Sequence, residues 1–268
     1  MIFVVYVFNL RVDMPKFPKI KKIRLSKNFR ERKGQVKFIV FHCSSVNDED
    51  ELFDTLEGLG LSTHYIINQQ GEITLCVEPS RVAYHAGKSK WRDSIGESLN
   101  EESIGIECIV PNLGQNKEDY SYKMFLAINS LLDMLRVQYK IRKENVVGHS
   151  DIAPDRKADP GIGFPWYRMY RSDNVLWYRT KQIMKDKSEK EMLEIIGYDT
   201  SDMMLARCAF CRHFMPEEFE VVEDIQCLLD NPYPKDFAPK DFDEYMHILS
   251  AVCCAYDKEG RKKYWFME

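Results

Sequence analysis

The sequence predicts an α/β (α+β) fold: a mixed central β-sheet flanked by helices, followed by a small C-terminal helical domain. Three observations carry this. Val36–Cys43 and Ser103–Val110 are dense β-branched and aromatic runs, the mark of strands buried on both faces. Between and after them, Tyr122–Tyr139 repeats its apolar residues at helical spacing. Beyond residue 185 only helical patterns recur.

In chain order, Val36–Cys43 is the first confident strand. Asn47-Asp48 then offers caps for a helix carrying Leu52, Phe53, Leu56 and Leu59, which Gly58 and Gly60 weaken and stop. His64–Asn68 and Glu72–Cys76 flank Gln69-Gln70-Gly71, a hairpin signal. Ser103–Val110 is a central strand, and Phe125, Ile128, Leu131, Leu132 and Leu135 form the apolar stripe of the helix that follows. Val146-Val147 makes a short strand delivering His149 to the sheet edge. Lys190–Ile196, Met203–Phe214 and a last helix through Phe242, Tyr245, Leu249 and Val252, ending near Gly260, complete the chain. The expected division is an N-terminal extension over 1–27, a catalytic domain over 28–184 and a helical domain over 185–268, joined at Lys185–Lys190.

With 268 residues, the chain can bury a large core, and its net charge of −4 supplies no field that draws it to nucleic acid. No apolar run is long enough for a transmembrane span. The first eight residues are apolar, but the basic residues follow them: Lys16–Lys33 holds nine against the single Glu31. Three readings stand: a first strand, an atypical export segment, or an extension ahead of a start at Met14. The basic stretch reads as a solvated face, or as a surface for an anionic polymer or lipid. The eight cysteines lack the spacing of a disulfide framework, so reduced thiols are expected.

Chemistry concentrates in Gly148–Gly161. His149 and Asp159 there, with His42 at the end of the first strand, are enough to hold one Zn²⁺ and leave a position open to water. Lys157 lies two residues before Asp159, so in an extended segment both face one site. There it can hold the oxyanion of a tetrahedral intermediate. Glu107 sits inside an apolar strand, costly unless partnered or functional, and fits a general base. Ser103 and Gly105 share its face and leave room for substrate above the sheet. The alternatives are a structural histidine, a turn-forming aspartate and an exposed lysine; the conjunction favours the metal site.

These stretches resemble a known family. Val40-Phe41-His42, Ser62–Ile67, Ala83–Trp91, Asn100–Glu107 and Gly148–Gly161 are similar, in order, to the zinc-dependent N-acetylmuramoyl-L-alanine amidases of the type 2 group. That group also holds phage enzymes and peptidoglycan recognition proteins. The likeness covers roughly residues 28–175 and is strongest to the bacterial branch acting on 1,6-anhydromuropeptides and, in some members, intact wall. It implies one zinc on His42, His149 and Asp159, Glu107 as base, Lys157 as oxyanion partner, and a peptidoglycan or muropeptide substrate. Phage and animal relatives carry cysteine as third ligand, where this chain has Asp159. Tyr84 replaces a tryptophan common in relatives and, with His85 and Trp91, is a candidate substrate contact. His64 and His85 also suit hydrogen-bonded support of the site, and Trp91 equally suits the core.

Leu193–Asp199 and Ala209–Phe214 resemble, more weakly, the helical peptidoglycan-binding module of envelope amidases. Cys208-x-x-Cys211 with His213 raises a second zinc, which the helical pattern around it disfavours. Two other functions compete with hydrolysis of the muramoyl–alanine amide: a non-catalytic recognition protein, and a zinc amidohydrolase of another small amide. A wall-binding tail points to the cell envelope, periplasm or outside, and free cysteines to the cytoplasm; the former is expected. Oligomeric state is not legible.

Overall fold

A computed structural model describes residues 18–219 and 236–257. Readings of the first eight residues, of Met14, of Cys227 and of Gly260 lie outside the described residues.

Among the described residues eight strands are formed: β1 (Ile20–Ile23), β2 (Phe29–Glu31), β3 (Phe38–Ser44), β4 (Tyr65–Ile67), β5 (Ile73–Leu75), β6 (Arg81–Ala83), β7 (Ser103–Ile109) and β8 (Val146–Gly148). Six make one sheet in the order β1-β5-β4-β7-β3-β8, and β2 pairs with β6 apart from it. Only the β4–β5 hairpin is antiparallel within the large sheet. β3 and β7 are neighbouring interior strands, buried along almost their whole length, which explains their mainly apolar character.

The α-helices of the described residues are α1 (Glu49–Gly58), α2 (Tyr122–Tyr139), α3 (His149–Ile152), α4 (Trp166–Arg171), α5 (Glu189–Ile196), α6 (Met203–Phe214) and α7 (Phe242–Tyr256). Asp48 caps α1 by accepting from the Asp50 and Glu51 amides, and Ser121 caps α2 from Met124. α2 covers one sheet face, where Met124, Ile128, Leu131 and Leu135 meet Ile39, Phe41, Ile104 and Ile106. On the other face α1 packs over Ile66, while α5, α6 and α7 share a core with Phe38, Val40 and Val147.

Two sequence expectations change here. β1 lies in the main sheet, parallel to β5, so the sheet takes in residues assigned to the N-terminal extension. Its basic residues are engaged: Lys22 with Glu49 and Asp50, Arg24 with Asp50 and Asp54, and Lys21 with Glu72. The C-terminal helices, expected as a separate domain, are continuous with the sheet's core. Even the expected joint is strapped down, since the Met184 amide donates to the Ser250 carbonyl and Ser250 Oγ returns a bond to the Met184 carbonyl. α5 starts inside that joint, capped by Ser188 and Glu191.

Candidate metal centre

Strand register assembles the site. β3 and β7 run parallel with His42 opposite Glu107, so the two side chains project from one face near the strands' C-terminal ends. β8 joins the other side of β3, pairing Val147 with Val40 and Gly148 with Phe41. The next residue, His149, opens α3 beside His42. Asp159 comes from the following loop, tied to that turn by a Ser150 amide bond of 2.8 Å to the Asp159 carbonyl. Tyr120 Oη holds the adjacent Pro160 carbonyl at 2.5 Å.

Three donor atoms converge: His42 Nδ1 lies 2.9 Å from His149 Nδ1, and Asp159 Oδ2 lies 3.2 and 3.1 Å from them. Among the described residues this is the group able to hold a metal ion. The surrounding bonds decide which nitrogens carry protons. His149 Nε2 faces the Ala86 carbonyl at 3.1 Å, so it must be the N–H, leaving Nδ1 bare. Ser103 Oγ donates to the Leu99 carbonyl at 2.7 Å and can therefore accept from His85 Nε2 at 3.2 Å. His85 Nδ1 is then free to accept from His42 Nε2, 2.9 Å away, which leaves His42 Nδ1 bare too.

Two bare lone pairs and a carboxylate oxygen aimed at one point repel one another unless a cation lies between them. A tetrahedral zinc with bonds of about 2.0–2.1 Å sets its donors roughly 3.3 Å apart, close to the separations found. The donor set fits zinc.

Charge states agree. Burial, then the neighbouring His149, pushes the His42 imidazole down to about 4, so it is neutral at pH 7. Burial, then Asp159, pushes Glu107 up to about 8; Ser44 Oγ, donating at 3.2 Å, and Lys157 act against the rise. A carboxyl balanced near neutrality is suited to taking and returning a proton.

Residues 32–162 match the N-acetylmuramoyl-L-alanine amidase family. N-acetylmuramoyl-L-alanine amidase AmiD of Escherichia coli is 30% identical over 214 residues, 68% of this chain and 76% of that protein. The chain belongs to the N-acetylmuramoyl-L-alanine amidase family. The 1,6-anhydro-N-acetylmuramyl-L-alanine amidase AmpD of Haemophilus influenzae is 34% identical over 121 residues, 45% of this chain and 62% of that protein. The crystal structure of AmpDh3 from Pseudomonas aeruginosa with an anhydromuramic pentapeptide superposes with a TM-score of 0.62 at 25% identity. It covers 94% of this chain and 97% of that one, so the likeness runs into the C-terminal helices.

In the amidase, His42, Glu107, His149, Lys157, Asp159, Tyr84 and His85 all border one cleft of about 620 Å³. Trp91 does not. It is 1% exposed, packs edge-on against Tyr198 and donates to the Glu144 carbonyl, so its expected place at the substrate is corrected to the core. The room expected above Gly105 is also filled: a Cβ there would stand 2.5 Å from His85 Cγ. Gly105 and Ser103 make space for the imidazole that orients His42, not for substrate.

Sequence reasoning missed the cleft's apolar wall. Leu56, Leu59 and Leu61 line it, and Leu59 remains 68% exposed. The sequence names Leu59 only as an apolar residue of the helix; its place at the end of α1, between Gly58 and Gly60, is the one local hint of a rim. The Ala86 carbonyl, which orders His149 and also accepts from Arg156 Nη2 at 2.6 Å, leaves no side-chain signal at all.

Proposed function

We propose that this amidase hydrolyses the amide between the lactyl group of N-acetylmuramic acid, or its 1,6-anhydro form, and L-alanine, with one zinc held by His42, His149 and Asp159. The meeting of those three bare donor atoms beside Glu107 carries the reading. Zinc bound there supplies Lewis acidity and makes water a competent nucleophile near neutral pH.

Glu107 takes the proton from the attacking water as its oxygen bonds to the amide carbon. Lys157 faces the carbonyl oxygen and holds the negative charge that develops there. Glu107 then returns its proton to the alanine nitrogen as the C–N bond breaks, giving a carboxylic acid and a free amino terminus. Ser44 keeps the Glu107 carboxyl aimed between nucleophile and leaving group. Tyr84 offers a ring face to the sugar from the cleft wall. AmpDh3 binds an anhydromuramic pentapeptide, and the AmpD relatives are named for the anhydro linkage, which supports a muropeptide ligand here.

The test is to give zinc-loaded protein purified sacculi and anhydromuropeptides side by side, with and without chelator. New alanine amino termini that vanish with chelator support the reading. Binding without release would make the chain a recognition protein; turnover only of unrelated amides would make it another amidohydrolase. No helix among the described residues is long and apolar enough to cross a membrane. An envelope location fits a polymeric substrate, and fractionation that recovers the chain only with cytoplasmic markers would favour recycled fragments instead.

A further inference from the structure

Two residues beyond His149 lies a buried carboxylate that the chemistry above does not use. Asp151 is 1% exposed, and both its oxygens are occupied. Oδ2 accepts from the Gly148 amide at 2.7 Å and from His213 Nδ1 at 2.8 Å; Oδ1 accepts from Tyr198 Oη at 2.9 Å. A buried carboxylate is expensive, and an apolar side chain would fill the space at less cost. What a carboxylate adds is a fixed link between the turn that opens at Gly148 and two points of the C-terminal helical segment.

That link is stiff. The His213 ring is sandwiched between Trp166, 4.0 Å away at 16°, and Phe214, 4.1 Å away at 15°. Trp166 in turn meets Phe164 and Phe41, and Phe41 is the β3 neighbour of His42. Gly148 has no slack either, since a Cβ there would stand 2.6 Å from Pro160 Cδ, next to Asp159. The backbone ahead of His149 is thus pinned by Asp151, and the backbone after it by the Ser150–Asp159 bond.

We propose that Asp151, gripped by His213 of α6 and by Tyr198, is a positioning residue for His149, so that the C-terminal helices complete the metal centre. The proposal rests on His149 being a metal ligand. It gives the C-terminal segment a task inside the enzyme, whatever it does at the cell wall. Outer partners of metal ligands typically change metal affinity by about 10- to 100-fold when removed.

The test uses the full chain with His213→Leu, His213→Asn, Tyr198→Phe and, as control, His149→Ala. Asparagine keeps an N–H donor near the Nδ1 position; leucine does not. Zinc affinity is read by chelator competition, ligand geometry by the visible spectrum of cobalt-substituted protein, and turnover as separate kcat and KM. The expected result for His213→Leu is zinc binding weakened by up to about 10-fold, the low end for direct partners of a ligand because His213 acts through Asp151 and the backbone, a shifted cobalt spectrum and a lower kcat at unchanged KM. His213→Asn should recover most of each, and Tyr198→Phe should show a smaller change in the same direction. Should His213→Leu fail to fold, Tyr198→Phe decides. Folded variants with parental zinc affinity and cobalt spectrum overturn the proposal even if they melt earlier, because the clamp is then a plain anchor. If His149→Ala itself retains parental zinc affinity, the ligand assignment has failed instead.

Discussion

On one face of the β3–β7 pair, Ile39, Phe41 and Cys43 meet Ile104, Ile106 and Cys108 under α2; on the other, the alternating positions hold Phe38 and Val40 together with His42, Ser103, Gly105 and Glu107. The backbone is shared, so the difference comes from the two-residue period of the strand. The α2 face carries only apolar side chains along these strands, while the opposite face adds hydrogen-bonded polar groups to Phe38 and Val40, in the gap between α1 and the C-terminal helices. Within these two strands the chemistry is thereby confined to one face, one residue away from the side chains that pack under α2.

Substitutions can test that separation. The largest expected effect is kinetic: Glu107→Gln should lower kcat by about 10²- to 10⁴-fold while zinc content and melting temperature stay near parental. Normal turnover would remove Glu107 from the reaction. Its neighbour on the other face should do the reverse. Ile106→Ala is expected to lose about 2–5 kcal/mol of stability in urea titration, with the folded protein binding zinc as before. A matching loss of zinc affinity would mean that the two faces are coupled.

Gly105→Ala sharpens the comparison, because it puts one methyl on the polar face against the His85 ring. Overpacking of this kind destabilises by about 1–3 kcal/mol, and here it should also weaken zinc by disturbing the acceptor to which His42 Nε2 donates. A stable variant with intact affinity would show that His85 does not set the His42 tautomer.

The smallest expected effect concerns His64. Its Nδ1 accepts from the Gly105 amide at 3.0 Å, and its Nε2 faces the Arg81 carbonyl at 3.1 Å, so the ring is neutral and a second proton would break the first bond. Burial, with Arg32 and His42 also opposing a charge, pushes it down to about 3. The folded value is below the unfolded one of about 6.5, so the unfolded chain binds the extra proton. Stability is therefore complete above that pH and declines as pH falls toward 3, by up to about 1.4 kcal/mol per unit. His64→Gln should flatten the decline between pH 6.5 and 5 in denaturant titrations of zinc-loaded protein; an unchanged slope would refute the assignment.

Much of this was legible in advance, for local reasons. The bounds of α2 follow from a cap at Ser121 and an unbroken apolar stripe, and β3 and β7 from their density of β-branched and aromatic residues. His42, Glu107, His149, Lys157 and Asp159 stood out because imidazoles and acids at strand ends or in apolar runs need an explanation. Trp91 stayed open between cleft and core because a tryptophan next to a cleft-forming segment looks the same in sequence whether it turns outward or inward. β1 was lost in a basic stretch whose charges are met by acids on α1 and by Glu72. The C-terminal helices have their own caps and patterns, so nothing local revealed that they share a core with β3 and β8.

Residue types and spacing thus marked the buried strands, α1, α2 and the C-terminal helices, and singled out the side chains suited to metal and proton chemistry. Those properties are written within a few residues of one another. Tertiary structure alone decided that β8 docks against β3 to bring His149 within 2.9 Å of His42, that His85 fills the space over Gly105, and that His213 reaches back to Asp151. Each of these depends on strand order and on packing between distant segments, where periodicity carries no information and only the closed core selects one arrangement.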